Sequence, residues 1–251
     1  MLSTSFTRPS APRRVVADLL ARARRMPLVA AQRRMRLSPI AAARADVRES
    51  SSAPRIGWAA CFVRGFALLA AERPVLRRCH LSFPFAHYYD HFESVASVVV
   101  ERDWQGERAP FYCTMRHPEA RNLAEIQERL TRAKSGPLDA TGSYRLMLRL
   151  AGYPGLLRRV LWWAATEFSG LLHARRVGTF ALSSIAHTGS ELTWILSPAT
   201  STLSYGPIDA DGQMEVRLFF DHRVYDGALA GEILQELEDV LNTRVAAELR
   251  A

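Results

Sequence analysis

A chain of 251 residues with 48% hydrophobic side chains is long enough to bury one sizeable core. It contains no run of about eighteen uncharged apolar residues that would mark a membrane-spanning helix. The formal charge of +8 rests almost wholly on arginine, since Lys134 is the single lysine. With no nucleic-acid motif beside it, the charge points to composition first, an acidic partner second and nucleic acid last. Three scattered cysteines, Cys61, Cys79 and Cys113, show neither a disulfide framework nor zinc spacing, and fit a reducing, cytoplasmic compartment.

In chain order, residues 1–12 are rich in Ser, Thr, Pro and Arg and read as disordered. Arg13 to Met26 places Val15, Val16, Leu19 and Leu20 on one side of a helix, among arginines. Residues 1–26 are therefore expected to be a basic, partly disordered arm with a short helix. Docking on the protein itself is the plain reading; contact with a membrane surface or a partner, or a role as a targeting segment, is the alternative. Residues 27–251 read as one domain. Glu49 to Pro54 is a loop, and Trp58 to Ala71 carries a helical apolar stripe closed by Pro74. Ser94 to Glu101 and Phe111 to Met115 are strand candidates. His80, His87, Asp90 and His91 lack the spacing of a helical or finger-type site, so no metal is expected. Asn122 is placed to cap a helix running to Lys134. Residues 143–172 form an apolar helical stretch broken at Gly152-Tyr153-Pro154-Gly155. Packing is its plain role, and contact of Trp162 and Trp163 with a substrate is the alternative. Asp209 to Gly212 is a hairpin turn, Met214 to Phe220 a buried strand, and Leu229 to Leu241 a helix.

The stretch Asp221-His222-Arg223-Val224-Tyr225-Asp226-Gly227-Ala228 joins that strand to that helix. A histidine held at a strand end suits a general base, because its proton affinity lies near neutrality. Asp226 is expected to clamp the loop through a buried arginine, or to cap the helix. Gly227 would supply a backbone conformation closed to other residues, or a close approach. A strand–turn–helix junction with a structural histidine is the alternative.

This stretch resembles the D-H-R-x-x-D-G-A signature of the 2-oxoacid dehydrogenase acyltransferase (E2) catalytic domains, which belong to the chloramphenicol acetyltransferase-like superfamily. Gly178-Thr179-Phe180-Ala181-Leu182-Ser183-Ser184-Ile185 resembles the family's G-T-F-T-I-S segment, followed by Ile195-Leu196-Ser197-Pro198 and Ser204-Tyr205-Gly206. The resemblance implies an α/β fold, a mixed sheet flanked by helices. It implies a homotrimer in which the histidine of one subunit faces the serine of the next. His222 would be the general base, Ser183 or Ser184 the oxyanion donor, and Asp226 the loop clamp, with Arg33, Arg34 or Arg36 as its partner. Asp221, Arg223 and Gly227 would shape the motif. No cofactor is expected to be bound; acyl-CoA or an acyl-phosphopantetheine carrier would be substrate, and a thiol, hydroxyl or amine the acceptor. Against the family pattern, residues 143–172 are an insertion, Ala186 replaces a usual glycine, and no lipoyl domain is expected. A stand-alone acyltransferase is therefore expected, with an acyl carrier protein as a possible partner. An E2-like core served by a lipoyl domain in trans and a non-catalytic assembly subunit are the alternatives.

Overall fold

A computed structural model describes residues 6–50 and 55–251. In chain order the elements are α1 (Ala11–Ala23), β1 (Leu28–Arg36), α2 (Ser38–Ser50), α3 (Trp58–Glu72), β2 (Arg78–Leu81), β3 (His87–Asp90), β4 (Val95–Trp104), β5 (Glu107–Arg116), α4 (Leu123–Ser135), α5 (Gly142–Gly152), α6 (Gly155–Trp163), α7 (Gly170–Arg176), β6 (Phe180–Leu182), β7 (Ser201–Ile208), β8 (Gln213–Asp221), α8 (Gly227–Val240) and α9 (Ala246–Arg250). Of the expected disordered start and the 49–54 loop, residues 1–5 and 51–54 lie outside the described residues.

Six strands form one mixed sheet in the order β1-β8-β7-β6-β4-β5, and β2 and β3 form a separate ribbon. Short β6 runs parallel to β4 and β7, and the other pairs are antiparallel. Successive side chains of a strand point to opposite faces, so each strand contributes to two different environments. On one face Val98 and Val100, Phe180 and Leu182, and Leu218 and Phe220 are buried. The α3 helix is apolar nearly all round and packs there, with Phe66 against Phe180 and Phe62 stacked on Tyr205. Ile233, Leu234 and Leu237 of α8 extend this core.

The other face carries smaller and more polar residues: Ser97 and Val99 on β4, Ala181 on β6, and Thr202 and Ser204 on β7. The α1 helix covers part of it. Ser10 caps that helix, and Val15, Leu19 and Ala23 are buried. Arg158 of α6 donates to Asp18 at 2.6 Å and Arg13 to Glu107 at 2.7 Å, fixing α1 to the body. The apolar stripe of this helix is therefore used inside the fold, as self-docking requires.

Local signals account for several boundaries. Asn122 and Glu125 cap α4 reciprocally. The Gly152–Gly155 break separates α5 from α6. At Gly178, φ is +100°, and a Cβ would come within 3.0 Å of the Val95 carbonyl. A side chain there would block the turn that feeds β6. No helix among the described residues is long and apolar enough to cross a membrane.

Candidate active site

His222 follows the last residue of β8 and is exposed. Its backbone N–H donates to the Pro27 carbonyl at 3.1 Å. The turn around it is held by its neighbours. Asp221, 1% exposed, accepts from the backbone N–H of Arg223 at 3.0 Å and from its guanidinium at 2.9 and 2.7 Å. Hydrogen bonding to Asp221 raises the pKa of Arg223 against the opposing cost of burial. Tyr88 of β3 donates its hydroxyl to the Arg223 carbonyl at 2.6 Å. Tyr225 stacks on Phe220 and shares a 2.7 Å hydrogen bond with Ser201. Behind the turn, burial pushes His173 down to about 4, and its Nε2–H donates to the Pro198 carbonyl at 3.0 Å.

The structure separates the alternatives expected for this junction. Asp226 pairs with none of the three proposed arginines. Arg33 donates to Glu238 at 2.6 Å, Arg34 donates to Asp209 at 2.8 Å, and the backbone N–H of Arg36 donates to Glu238 at 2.8 Å. The Asp226 carboxylate is exposed and accepts from the Leu229 N–H at 3.1 Å, so it is the N-cap of α8. Gly227 starts that helix outside the positive-φ region, with open space where a Cβ would stand. Neither a special conformation nor a close approach within the chain requires glycine there.

Ser183 and Ser184 follow β6. The Ser184 hydroxyl donates to the Tyr205 carbonyl at 2.7 Å and accepts from the Ala186 N–H at 3.1 Å. That side chain is committed to holding the loop. The Ser183 backbone N–H donates to the Leu203 carbonyl at 3.0 Å. Its hydroxyl has no partner among the described residues, and Ser183 lines a cavity of about 200 Å3 on the α1 side of the sheet. Trp162 lines the same cavity, whereas Trp163 packs with Phe83 and Phe168 elsewhere. One residue turns a helix by about 100°, which separates the two tryptophans.

Within one chain Ser183 and His222 do not meet. The pairings Leu182↔Leu203 and Leu203↔Leu218 place the end of β6 level with the middle of β8, while His222 lies beyond its end. The offset is roughly 15 Å along the strands, plus two strand spacings of about 4.8 Å.

The sequence reading missed most of the cavity wall: Leu19, Ser97, Tyr112, Val177 and Thr202 line it beside Ser183. Alternation within β4 carried the signal, since Ser97 and Val99 share one face and Val98 and Val100 the other.

This architecture and topology define the class: the chain has the chloramphenicol acetyltransferase-like fold, a mixed sheet flanked by helices. Among solved structures it is similar to the truncated catalytic core of the 2-oxoacid dehydrogenase multienzyme complex from Thermoplasma acidophilum, at 15% identity and a TM-score of 0.68, over 96% of this chain and 99% of that one. It is similar to the dihydrolipoamide acetyltransferase of Azotobacter vinelandii (16% identity, TM-score 0.67, 98% and 94%), a structure concerned with the roles of a serine, a histidine and an asparagine in the catalytic mechanism. A probable dihydrolipoamide acetyltransferase from Listeria monocytogenes is also similar (16% identity, TM-score 0.65, 96% and 95%). No protein-family model matches the chain, and no curated protein matches it.

Proposed function

We propose that the chain is an acyltransferase, with residues 27–251 as its catalytic unit, moving an acyl group from a CoA or phosphopantetheine-carrier thioester to a thiol, hydroxyl or amine. The observation that carries this reading is the D-H-R-x-x-D-G-A stretch at the β8–α8 junction of a fold shared with dihydrolipoamide acetyltransferases. His222 is exposed there on a braced turn, as a base that must reach an external acceptor requires. In the Azotobacter protein the asparagine lies four residues after the histidine, the spacing of Asp226 from His222.

On this reading His222 takes the proton of the acceptor, whose heteroatom attacks the thioester carbonyl. The carbonyl π pair moves onto oxygen, and the Ser183 hydroxyl donates to that oxyanion. The C–S bond then breaks, and the leaving thiolate takes the proton back from the imidazolium. Ser183 is preferred over Ser184 because its hydroxyl is free. The separation of Ser183 from His222 calls for a second copy to complete each site, which supports a ring assembly such as a homotrimer. A lipoyl domain supplied in trans is one acceptor of the required chemistry.

The test is thiol release from a panel of acyl-CoAs with pooled acceptors, comparing the wild type with His222→Ala. The expected result is acceptor-dependent release that falls by about 10²–10⁴-fold in the variant. Equal silence of two folded proteins with both CoA and carrier-protein donors would favour a non-catalytic assembly role.

A further inference from the structure

The cavity beside Ser183 indicates what the proposed enzyme would carry. Resting on the acyl-transfer reading, we infer that this cavity is the acyl pocket, and that the transferred group is an uncharged apolar acyl chain of about benzoyl to octanoyl size rather than acetyl. If Ser183 holds the carbonyl oxygen, the remainder of the acyl group must lie within a few ångströms of it, and the cavity opens there. Its wall is mainly apolar: Val99, Tyr112, Trp162, Val177, Ile195 and Leu196. Among its lining residues Arg176 alone is charged, and Arg176 is exposed. A carboxylate-bearing chain such as succinyl would enter apolar surroundings with no buried counter-charge.

Size points the same way. An apolar cavity of about 150 Å3 accommodates benzene, and this one holds about 200 Å3. Close-packed interiors rarely leave such space. Here small side chains, Ser97, Ala181 and Thr202, form the sheet side, while Leu19 of α1 and Trp162 of α6 contribute from the covering helices. The two covering helices are fixed to each other by the Arg158–Asp18 ion pair.

The test uses acetyl-, hexanoyl-, octanoyl-, benzoyl- and succinyl-CoA with the full-length protein and two cavity-filling variants, Val99→Phe on the sheet side and Leu19→Trp on the helix side. Binding of free CoA and of the non-hydrolysable thioether S-octyl-CoA is measured by calorimetry in parallel, and circular dichroism confirms that each variant is folded. The wild type should show kcat/KM for octanoyl- or benzoyl-CoA at least tenfold above acetyl-CoA, with succinyl-CoA lowest. Each folded filling variant should reduce the octanoyl-to-acetyl ratio at least tenfold and weaken S-octyl-CoA at least tenfold. An unchanged ratio in both variants would overturn the acyl pocket while leaving acyl transfer intact. An equal loss for every donor and for free CoA would also overturn it, assigning the cavity to the pantetheine arm. If no donor is turned over but S-octyl-CoA binds the wild type tenfold more tightly than either variant, the pocket stands and the catalytic reading fails.

Discussion

On the α3 side of the sheet, Phe66 packs on Phe180 and Phe62 stacks on Tyr205, with ring centroids 4.8 and 4.7 Å apart. On the α1 side, the same strands present Ser97, Ala181 and Thr202 and leave about 200 Å3 open beside Ser183. The two faces differ by one residue of register along each strand. Large apolar side chains at one set of alternate positions build the packed core, and small or hydroxyl-bearing ones at the other set leave a cavity open. The difference teaches that a strand only three residues long, β6, can serve both purposes through Phe180 and Leu182 on one side and Ala181 on the other.

The contrast is open to direct challenge by substitution. Phe180→Ala on the packed face should cost about 3–5 kcal/mol in denaturant unfolding. A cost near 1 kcal/mol would mean that this face is no better packed than the other. Ser183→Ala on the open face should leave the melting temperature nearly unchanged and reduce acyl transfer by about 10²–10³-fold. Ser184→Ala should do the reverse, losing about 1 kcal/mol of stability with its bond to the Tyr205 carbonyl while turnover per folded molecule is kept.

A pH titration extends the picture to the buried histidine behind the His222 turn. In the folded chain His173 stays neutral down to about pH 4, whereas unfolded it protonates near its ordinary value of 6.5. The unfolded state therefore binds the extra proton between those values. The contribution of His173 is complete above about pH 6.5 and is lost as pH falls toward 4, up to about 3 kcal/mol. Unfolding midpoints measured across that window should fall in the wild type and flatten in His173→Gln. The smallest effect is expected at Thr202, whose buried hydroxyl has no hydrogen-bond partner. Thr202→Val should be neutral or slightly stabilising, since it removes an unsatisfied polar group at nearly constant shape.

Legibility in the sequence followed how local each determinant is. The apolar run ending at Phe220, the helix after Gly227, the Asn122 cap and the break at Gly152–Gly155 are set by neighbouring residues, and their patterns could be read directly. Likewise the stretch from Asp221 to Ala228 was visible as a strand–turn–helix junction. The capping role of Asp226 was legible for the same reason, but the partners of the three arginines were not, because they are equivalent on one strand until β1 is aligned against β8 and α8 supplies Glu238. The paired role given to Trp162 and Trp163 divided for a similar reason: helix rotation sends adjacent residues to different neighbours. The cavity was the least legible feature. Its wall is drawn from α1, β4, β5, α6 and the 195–198 loop, which only tertiary packing brings together.

On the proposed reading, His222 of one copy and Ser183 of another form one acyl-transfer site. It is tested most directly by mixing two inactive variants. His222→Ala and Ser183→Ala are assayed separately, then unfolded together in equal amounts, refolded, and assayed for acceptor-dependent thiol release. If sites are shared between copies, each variant alone is nearly silent and the mixture recovers about a quarter of the activity of wild type treated the same way, the fraction of interfaces that join an intact histidine to an intact serine in a randomly mixed ring. A mixture as silent as its components, beside a wild-type control that refolds to full activity, would contradict the shared site.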